Sequence, residues 1–327
     1  ILMNPRAWEA SGHVGGFSDP LAEDLETKRR YRADHLLEYS GHSAAGLSID
    51  ELNSKIQALA STGALKTPEG ATIKKIGEVR QFNMMFKTQV GATEDPTSIS
   101  YLRPETAGGM FVNFKNVVDS LHPKLPFGLA QIGKAFRNEI APRDFIFRCR
   151  EFEQMEIEYF CHESKWEESF EHLRQQFGAW MVSIGLPADK IHEIEIGDGD
   201  RAHYSKRTID FEFDFPIGQK ELAGLAYRTD FDLKQHSEFS KTDLSYFDEE
   251  LKERFIPHCI EPSVGVERTF LAVLTSAYDE EVVGEETRTV LRFVSSIAPV
   301  QIAVLPLSKK EELSVPAQAI AKTLKKF

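Results

Sequence analysis

The chain has 327 residues and a net charge of −12, and none of its apolar runs approaches the roughly 20 residues that a membrane-spanning helix needs. Hydrophobic residues make up 41% and charged residues 28%, which is typical of a globular protein large enough for more than one domain. The acidic balance argues against a protein that binds nucleic acid by charge alone, although it does not exclude a basic track on one face.

The first part of the chain predicts a helix followed by a small insertion. Helical periodicity covers residues 27–38, and residues 41–79 form a polar surface insertion. Within the insertion, Ser48 and Glu51 have the spacing of a helix capping box, and Gly63 is placed to end that helix.

The middle of the chain predicts mainly strands. Residues 80–160 are rich in β-branched and aromatic side chains, apart from a helical pattern near 108–120. An amphipathic helix follows, which we expect Ser164 to cap and Gly185 to end. Residues 209–215 then alternate strictly between apolar and acidic side chains, as a half-buried strand does.

The last part predicts a strand that runs through Gly265 into a helix starting near Val266. We expect a linking segment over 288–298, a short apolar strand over 299–307 and a helix over 311–325. Runs of strands with inserted helices, instead of strict alternation, favour an α+β fold around an antiparallel β-sheet flanked by helices.

Two charged, extended runs are the most informative feature. Residues 136–139 read FRNE and residues 147–156 read FRCREFEQME, and a short loop with Pro142 separates them. Because strand side chains alternate between faces, a hairpin of the two runs would gather a charged set on one surface. The set consists of Arg137, Glu139, Arg148, Arg150, Phe152, Gln154 and Glu156. Guanidinium groups, a flat ring and carboxylates suit a nucleotide, whereas a solvated hairpin with cross-strand ion pairs is the alternative.

Three further segments bring charged residues to the ends of predicted elements. Glu105 lies between a strand and a helix, where it meets a ligand or supports the helix dipole. Glu221 is a surface residue or, beside polyphosphate, a Mg²⁺ ligand, because a hard cation prefers oxygen donors. Glu261 precedes Gly265 and Arg268, and a cation in a first helical turn is expected to have an anionic partner, either phosphate or a nearby acid.

Glycine-rich nucleotide loops and metal-type cysteine spacing are both missing from the sequence. Neither G-x-x-x-x-G-K-[ST] nor G-x-G-x-x-G occurs, so a nucleotide site would be built on strands and arginines. The three cysteines, Cys149, Cys161 and Cys259, are scattered and predict free thiols in a reducing compartment, without a disulfide framework or a zinc site.

Several strings resemble class II aminoacyl-tRNA synthetases. Residues 136–139, 150–156 and 265–268 resemble motifs two and three of that class. More specific strings resemble glycyl-tRNA synthetases of the homodimeric type, namely WEASGH at 8–13, RYRAD at 30–34, RQFNMMF at 80–86, RPETA at 103–107 and EPS at 261–263. The resemblance runs from residue 1 to about residue 307.

The resemblance implies a catalytic domain over 1–296 and the beginning of an anticodon-binding α/β domain over 297–327. It implies a cytoplasmic glycine–tRNA ligase that uses ATP and Mg²⁺, without zinc. The expected partners are glycine and tRNA(Gly), with a homodimer for the full-length protein and no membrane. Two alternatives stay open: a non-catalytic, synthetase-like nucleic-acid-binding subunit, and a class II synthetase for another small amino acid.

The resemblance also implies site residues. Arg137, Arg268 and Glu221 would be catalytic, with Glu221 as the Mg²⁺ ligand. The implied ATP site consists of Arg137, Asn138, Glu139, Phe147, Arg148, Cys149, Arg150, Glu151, Phe152, Glu221, Leu222, Gly265, Val266, Glu267 and Arg268. The implied glycine site consists of Arg32, Glu105, Phe152, Glu153, Gln154, Met155, Glu156, Glu261, Pro262, Ser263, Val264 and Gly265.

Individual roles follow from the same resemblance. Arg137 and Arg268 would hold phosphates, Glu139 the adenine amine, and Phe152 the adenine ring. Three acids would hold the ammonium of glycine, namely Glu105, Glu156 and Glu261. Within the ATP range, we expect the Cys149 side chain to point away from the ligand as a packed thiol. The family usually has Gln where this chain has Gly108, and a Trp before the Glu-Leu string where this chain has residues 218–220.

Overall fold

The structure, a computed structural model, describes residues 1–93, 95, 98–199 and 201–326. Phe327, the last residue of the expected second domain, lies outside the described residues. The helices are α1 (Pro5–Ala10), α2 (His13–Gly16), α3 (Ala33–Tyr39), α4 (Ile49–Thr62), α5 (Ala107–Leu121), α6 (Trp166–Ser183), α7 (Phe231–Ser240), α8 (Val266–Ala277) and α9 (Glu311–Leu324). 

The strands belong to one large sheet and several small ones. In chain order they are β1 (Leu2–Met3), β2 (Ser18–Glu23), β3 (Arg30–Arg32), β4 (Arg80–Asn83), β5 (Lys87–Gln89), β6 (Ile99–Leu102), β7 (Phe127–Phe136), β8 (Glu151–Cys161), β9 (Ile191–Glu195), β10 (Arg207–Phe215), β11 (Gly218–Thr229), β12 (Tyr246–Asp248), β13 (Glu253–Phe255), β14 (His258–Gly265), β15 (Tyr278–Val283) and β16 (Glu286–Leu291).

The large sheet has six antiparallel strands in the order β7-β8-β14-β11-β10-β9. Met155 of β8 packs in a core cluster with Phe177 of α6, whereas Phe160 of the same strand packs with Phe111 and Phe114 of α5. Because residues 155 and 160 point to opposite sides of β8, α6 and α5 cover opposite faces of the sheet. The predicted α+β fold around an antiparallel sheet is therefore confirmed.

The predicted insertion contains the expected capped helix. The backbone N–H of Ser48 donates to the Glu51 carboxylate at 2.9 Å and the Ser48 hydroxyl accepts from the Glu51 amide, so the capping box begins α4. Gly63 follows the helix with a φ of +71°, a left-handed conformation that suits glycine. The predicted helix over 27–38 is wrong in its first half, because Arg30–Arg32 pairs with β2 as strand β3.

Two other predicted boundaries differ from the structure. The amphipathic helix α6 starts at Trp166, because Ser164 lies in a 3₁₀ turn where its hydroxyl contacts His162 Nδ1 at 2.8 Å. Part of the expected link forms strand β16, which pairs with β15. The expected strand over 299–307 is wrong, because no strand that the structure describes lies beside it to take its hydrogen bonds.

The regions around 108–120, 209–215, 265–266 and 311–325 match the predicted elements closely. Helices α5, α8 and α9 and strand β10 occupy them. No helix in the described part of the chain is long and apolar enough to cross a membrane.

Candidate active site

The β7–β8 hairpin, strand β11 and the start of α8 enclose a pocket with a volume of about 170 Å³. Most of the residues predicted for ATP line it: Arg137, Glu139, Phe147, Arg148, Cys149, Phe152, Glu221, Leu222, Gly265, Glu267 and Arg268. Four other predicted residues lie outside its wall, namely Asn138, Arg150, Glu151 and Val266. Cys149 borders the pocket while its thiol donates to the Phe145 carbonyl at 3.5 Å, and strand alternation does not govern its direction because β8 begins only at Glu151.

Arg137 follows directly after β7 and is held by aromatic rings. Its guanidinium carbon lies 5.5 Å from the ring centroid of Phe152 and 5.4 Å from that of Phe17. Its Nε donates to the carbonyl of Pro104 at 3.1 Å. These contacts fix a permanent positive charge at the pocket wall, as recognition of a phosphate requires.

Arg268 lies in the first turn of α8, at the mouth of the same pocket. Its Nε donates to the Phe147 carbonyl at 3.2 Å, and its Nη1 donates to the Glu221 carbonyl at 2.9 Å. Its guanidinium also lies over the Phe147 ring, 4.3 Å from the centroid. The anionic partner expected for this cation is present as the Glu221 carboxylate, 3.2 Å away, so the arginine is oriented before any phosphate arrives.

Glu267 lines the pocket and also joins two elements beside it. Both of its carboxylate oxygens accept from the backbone N–H of Glu153, at 3.0 and 2.9 Å. This contact ties α8 to β8 and uses the carboxylate for positioning the two elements beside the pocket.

Two acids lie together at the β10–β11 edge of the pocket, where a metal ion would meet phosphate oxygens. Burial, with the charges of Glu221 and Glu212, raises the pKa of Asp210 to about 7. No group of three or more metal-binding side chains occurs among the residues described. Glu221 and Asp210 offer carboxylate oxygens, which suit Mg²⁺, and one or two carboxylates are enough for that ion when polyphosphate supplies its other ligands. Asp210 was not predicted, although it belongs to the acidic face of the strand at 209–215.

Deeper in the interior, the three acids predicted for the glycine ammonium converge in a buried cluster, referred to below as the amino-acid pocket. Glu105, Glu156 and Glu261 are all buried, with at most 5% of each residue exposed. Glu156 accepts from the backbone amides of Thr106 at 2.8 Å and Ala107 at 2.9 Å, and from the Thr106 hydroxyl. The carboxylate thereby attaches β8 to the start of α5 and stands at its positive end.

Gln154 and Ser263 extend this network toward the nucleotide pocket. The Gln154 side-chain amide donates to the Ser263 hydroxyl at 3.0 Å, and that hydroxyl donates to Glu156 at 2.9 Å. The side-chain carbonyl oxygen of Gln154 is buried without a hydrogen-bond partner, as is Oε1 of Glu105. Buried acceptors without partners are what a bound ammonium would satisfy.

His13, within the WEASGH string, holds Glu105 from the other side. The His13 Nε2 atom lies 3.3 Å from Glu105 Oε2, and its Nδ1 contacts the Ser11 hydroxyl at 2.8 Å. Burial alone would raise the pKa of Glu105, but the His13 imidazole and the Arg228 guanidinium outweigh it and lower that pKa to about 2. Glu105 is therefore ionised at any physiological pH.

Arg228 is the central cation of this pocket, and the sequence reasoning gave it no role. It is fully buried, and its Nη1 donates to Glu261 at 2.9 Å while Nε and Nη2 each donate to Asp232 at 2.8 Å. A signal existed: position 228 continues the side of β11 on which Gly224 and Ala226 lie, and a charged residue ending an apolar strand needs buried partners.

Acids outnumber cations in this interior. Burial raises the pKa of Glu261 to about 8 despite its contact with Arg228. Burial and the charge of Glu105 raise the pKa of Glu156, and burial with the charge of Glu261 raises that of Glu158 well above its usual range. The thiol of Cys259 donates to Glu158 at 2.9 Å. A pocket with this surplus of acceptors attracts a compact cation.

Five residues predicted for the glycine site lie elsewhere. Met155, Pro262 and Val264 line an apolar cavity beside α6, and Glu153 pairs with Lys134. The reason is strand alternation: a contiguous range carried over by resemblance includes residues that point to both faces of the sheet. Arg32 pairs with Asp19 at 3.0 Å and lines a small pocket with Glu139 and Arg148, on the nucleotide side. The ones that do meet are Glu105, Gln154, Glu156, Glu261 and Ser263, with Phe152 and Gly265 in the nucleotide pocket.

The sequence is similar to known synthetases along nearly its whole length. Residues 86–277 match the family described as tRNA synthetase class II core domain (G, H, P, S and T). The chain is 49% identical to a glycine–tRNA ligase of Ruminiclostridium cellulolyticum, over 99% of this chain and 71% of that protein. It is 49% identical to that of Alkaliphilus oremlandii and 50% identical to that of Acetivibrio thermocellus, each over 95% of this chain and 68% of the relative. The chain belongs to the glycine–tRNA ligase family of the class II tRNA synthetases.

Proposed function

We propose that the chain is a glycine–tRNA ligase, which joins glycine to ATP as glycyl-adenylate, releases pyrophosphate and then transfers glycine to the 3′ end of tRNA(Gly). The observation that carries this proposal is that the nucleotide pocket adjoins the buried acidic cluster through the hydrogen-bonded Gln154, Ser263 and Glu156. The pocket is lined by fixed arginines, and the cluster consists of buried acids. The first suits a polyphosphate and the second an amino acid's ammonium.

The nucleotide pocket would hold ATP by charge and stacking. Arg137 and Arg268 are oriented at its wall, and each would meet phosphate oxygens with N–H groups directed by their existing contacts. Phe152 offers a ring for adenine, and Glu139 offers an acceptor for the adenine amine. Glu221 and Asp210 would hold Mg²⁺, which supplies neutralisation of phosphate charge when bound.

Reaction at the α-phosphorus needs alignment more than a general base. The carboxylate of glycine is already a nucleophile, so its oxygen attacks the α-phosphorus and the bond to the bridging oxygen of pyrophosphate breaks. Holding both reactants at neighbouring points of one rigid sheet supplies the required proximity. Arg268 at the pocket mouth would neutralise charge that builds up on the phosphates.

Recognition of glycine would depend on its ammonium, since it has no side chain. Glu105, Glu156 and Gln154 present acceptors to that group, while Glu261 and Arg228 set the charge around it. Larger amino acids would be rejected because the hydrogen-bonded Gln154–Ser263–Glu156 network fills the space and offers no apolar home for a side chain.

The proposal also covers the location of the enzyme, its assembly and its second domain. The enzyme would act in the cytoplasm as a homodimer, and residues 297–327 would begin an anticodon-binding domain. In the second reaction, the 3′-terminal hydroxyl of the tRNA attacks the glycyl carbonyl and AMP leaves.

Glycine-dependent exchange of pyrophosphate into ATP tests the proposal in the full-length protein. Alanine, serine, threonine and proline are run beside glycine. We expect exchange with glycine and far weaker exchange with the others. Exchange with serine in place of glycine would overturn the specificity, and no exchange with any amino acid would overturn the ligase itself and favour a binding subunit.

A further inference from the structure

One aromatic ring covers the central cation of the amino-acid pocket at close range. The guanidinium carbon of Arg228 lies 3.8 Å from the ring centroid of Tyr204 and 5.2 Å from that of Phe111. Because Arg228 is fully buried, water does not screen the attraction between its charge and the rings. Hydrogen bonds to Asp232 and Glu261 fix the guanidinium within its own plane, and the nearer ring restrains motion out of that plane.

The segment that carries Tyr204 is tied to both sides of the pocket. The backbone N–H of Lys206 donates to the Tyr227 carbonyl at 2.9 Å, one residue before Arg228. On the other side, His203 Nε2 lies 3.3 Å from the carbonyl oxygen of Ser11, the residue whose hydroxyl contacts His13. The ring of Tyr204 is thus placed by anchors that also border the Glu105 side of the pocket.

We propose that Tyr204 is a positioning residue for glycine recognition: its ring holds Arg228, and Arg228 in turn holds the Glu261 and Glu105 carboxylates around the ammonium of the substrate. The inference rests on the proposed function and deepens it. Arg228 Nη1 lies 2.9 Å from Glu261, and Nη2 lies 3.8 Å from Glu105, so a tilt of the guanidinium shifts both acids.

The ring, and not the hydroxyl, carries the proposed role. Burial raises the pKa of the Tyr204 phenol, so the residue stays neutral and cannot act as a charged ligand. Replacement by Phe keeps the face of the ring over Arg228 and removes only the hydroxyl. Replacement by Met keeps most of the volume and removes the ring.

The test compares Tyr204→Phe and Tyr204→Met with the natural protein in glycine-dependent ATP–pyrophosphate exchange. We expect Tyr204→Met to raise KM for glycine roughly tenfold, the size of a desolvated cation–π contact, with KM for ATP nearly unchanged. Tyr204→Phe should match the natural protein. Thermal unfolding of each variant shows whether it is folded.

A third variant covers the case in which Tyr204→Met does not fold. Pentafluorophenylalanine at position 204 keeps the shape of Phe but removes the negative ring face, so KM for glycine should rise relative to Tyr204→Phe. Equal glycine KM values for the fluorinated and Phe variants would overturn the inference, as would an equal rise in both substrates' KM values. A natural protein without glycine-dependent exchange would overturn the proposed function instead.

Discussion

Arg228 and Asp232 form a two-pronged ion pair in the interior, with Nε to Oδ2 and Nη2 to Oδ1 both at 2.8 Å. Neither residue reaches solvent to any useful extent, with exposed fractions of 0% and 2%. The pair joins strand β11 to the first turn of helix α7. The pair uses the Nε and Nη2 donors of Arg228. The remaining edge of the guanidinium faces Glu261 and Glu105.

Removing Asp232 should be costly for stability. Asp232→Ala leaves two donors of a buried guanidinium without partners, and we expect a loss of about 3–5 kcal/mol in the free energy of unfolding. Asp230→Ala is the matched control, because it removes a pair with the exposed Lys234 at the start of the same helix and should cost about 1 kcal/mol or less. Urea unfolding measures both, and equal losses would contradict the central position given to Arg228.

Two buried glutamates should differ sharply when neutralised. Glu105 is ionised, so Glu105→Gln removes a charge facing the substrate ammonium and should raise KM for glycine roughly 10- to 100-fold with little change for ATP. Burial and the charge of Glu261 raise the pKa of Glu158 well above its usual range, so Glu158→Gln keeps the shape of the side chain, removes only a disfavoured charge and should change KM for glycine little. Steady-state kinetics with each substrate varied would refute this division if both variants weakened glycine use alike.

Asp210 should make the ligand-free protein less stable as the pH rises. Its pKa is raised to about 7, above that of an unfolded aspartate, so the folded state binds more protons between about pH 4 and 7. The stability that its protonated form contributes is complete below pH 4 and is lost as the pH rises through 7. Asp210→Asn should therefore be more stable than the natural protein at about pH 8 and similar at about pH 4. Thermal unfolding without Mg²⁺ at both values checks the sign, and a variant less stable at pH 8 would contradict it.

Gly108, where the family usually has Gln, is closed to a side chain by Trp8. A Cβ at position 108 would lie 3.0 Å from the Trp8 ring, and Trp8 is fully buried and unable to move aside. We expect Gly108→Ala to cost about 1–3 kcal/mol. Gly109→Ala, one position along in α5, meets only Gln131 at 3.4 Å and should be neutral or stabilise the helix by about 0.5–1 kcal/mol. Chemical unfolding of the pair tests the contact, which equal stabilities would rule out.

Much of this architecture could be predicted because local signals agreed with the tertiary contacts. The capping box at Ser48, the acidic alternation at 209–215 and the Gly265 junction each depend on residues close in the chain. The strand predicted at 299–307 is absent because a strand exists only when another strand takes its hydrogen bonds. No local sequence pattern reveals such a partner.

Some residues of the candidate site could likewise be predicted from local sequence, and others could not. Charged strings singled out Arg137, Glu105 and Glu156 as candidates, since their residue types suit phosphate and ammonium. The sequence gives no such signal for Tyr204, and the signal at Arg228 names no partner, because the contacts of both residues join β11, α7 and the segment before β10. Continuous residue ranges taken from the family resemblance also include residues on the opposite face of the sheet, such as Met155.

Strand β8 carries residues of both parts of the candidate site. Phe152 lines the nucleotide pocket and Glu156 belongs to the buried acidic cluster, four residues further along the same strand, or roughly 13 Å. Gln154 lies midway between Phe152 and Glu156, near where the new bond between glycine and the α-phosphate would form. Deleting one residue between Phe152 and Glu156 would shorten this stretch of strand by about 3.4 Å. It would also turn the Glu156 carboxylate toward the apolar cavity beside α6. The residue spacing of this one strand would then set the separation between the adenine site and the ammonium site.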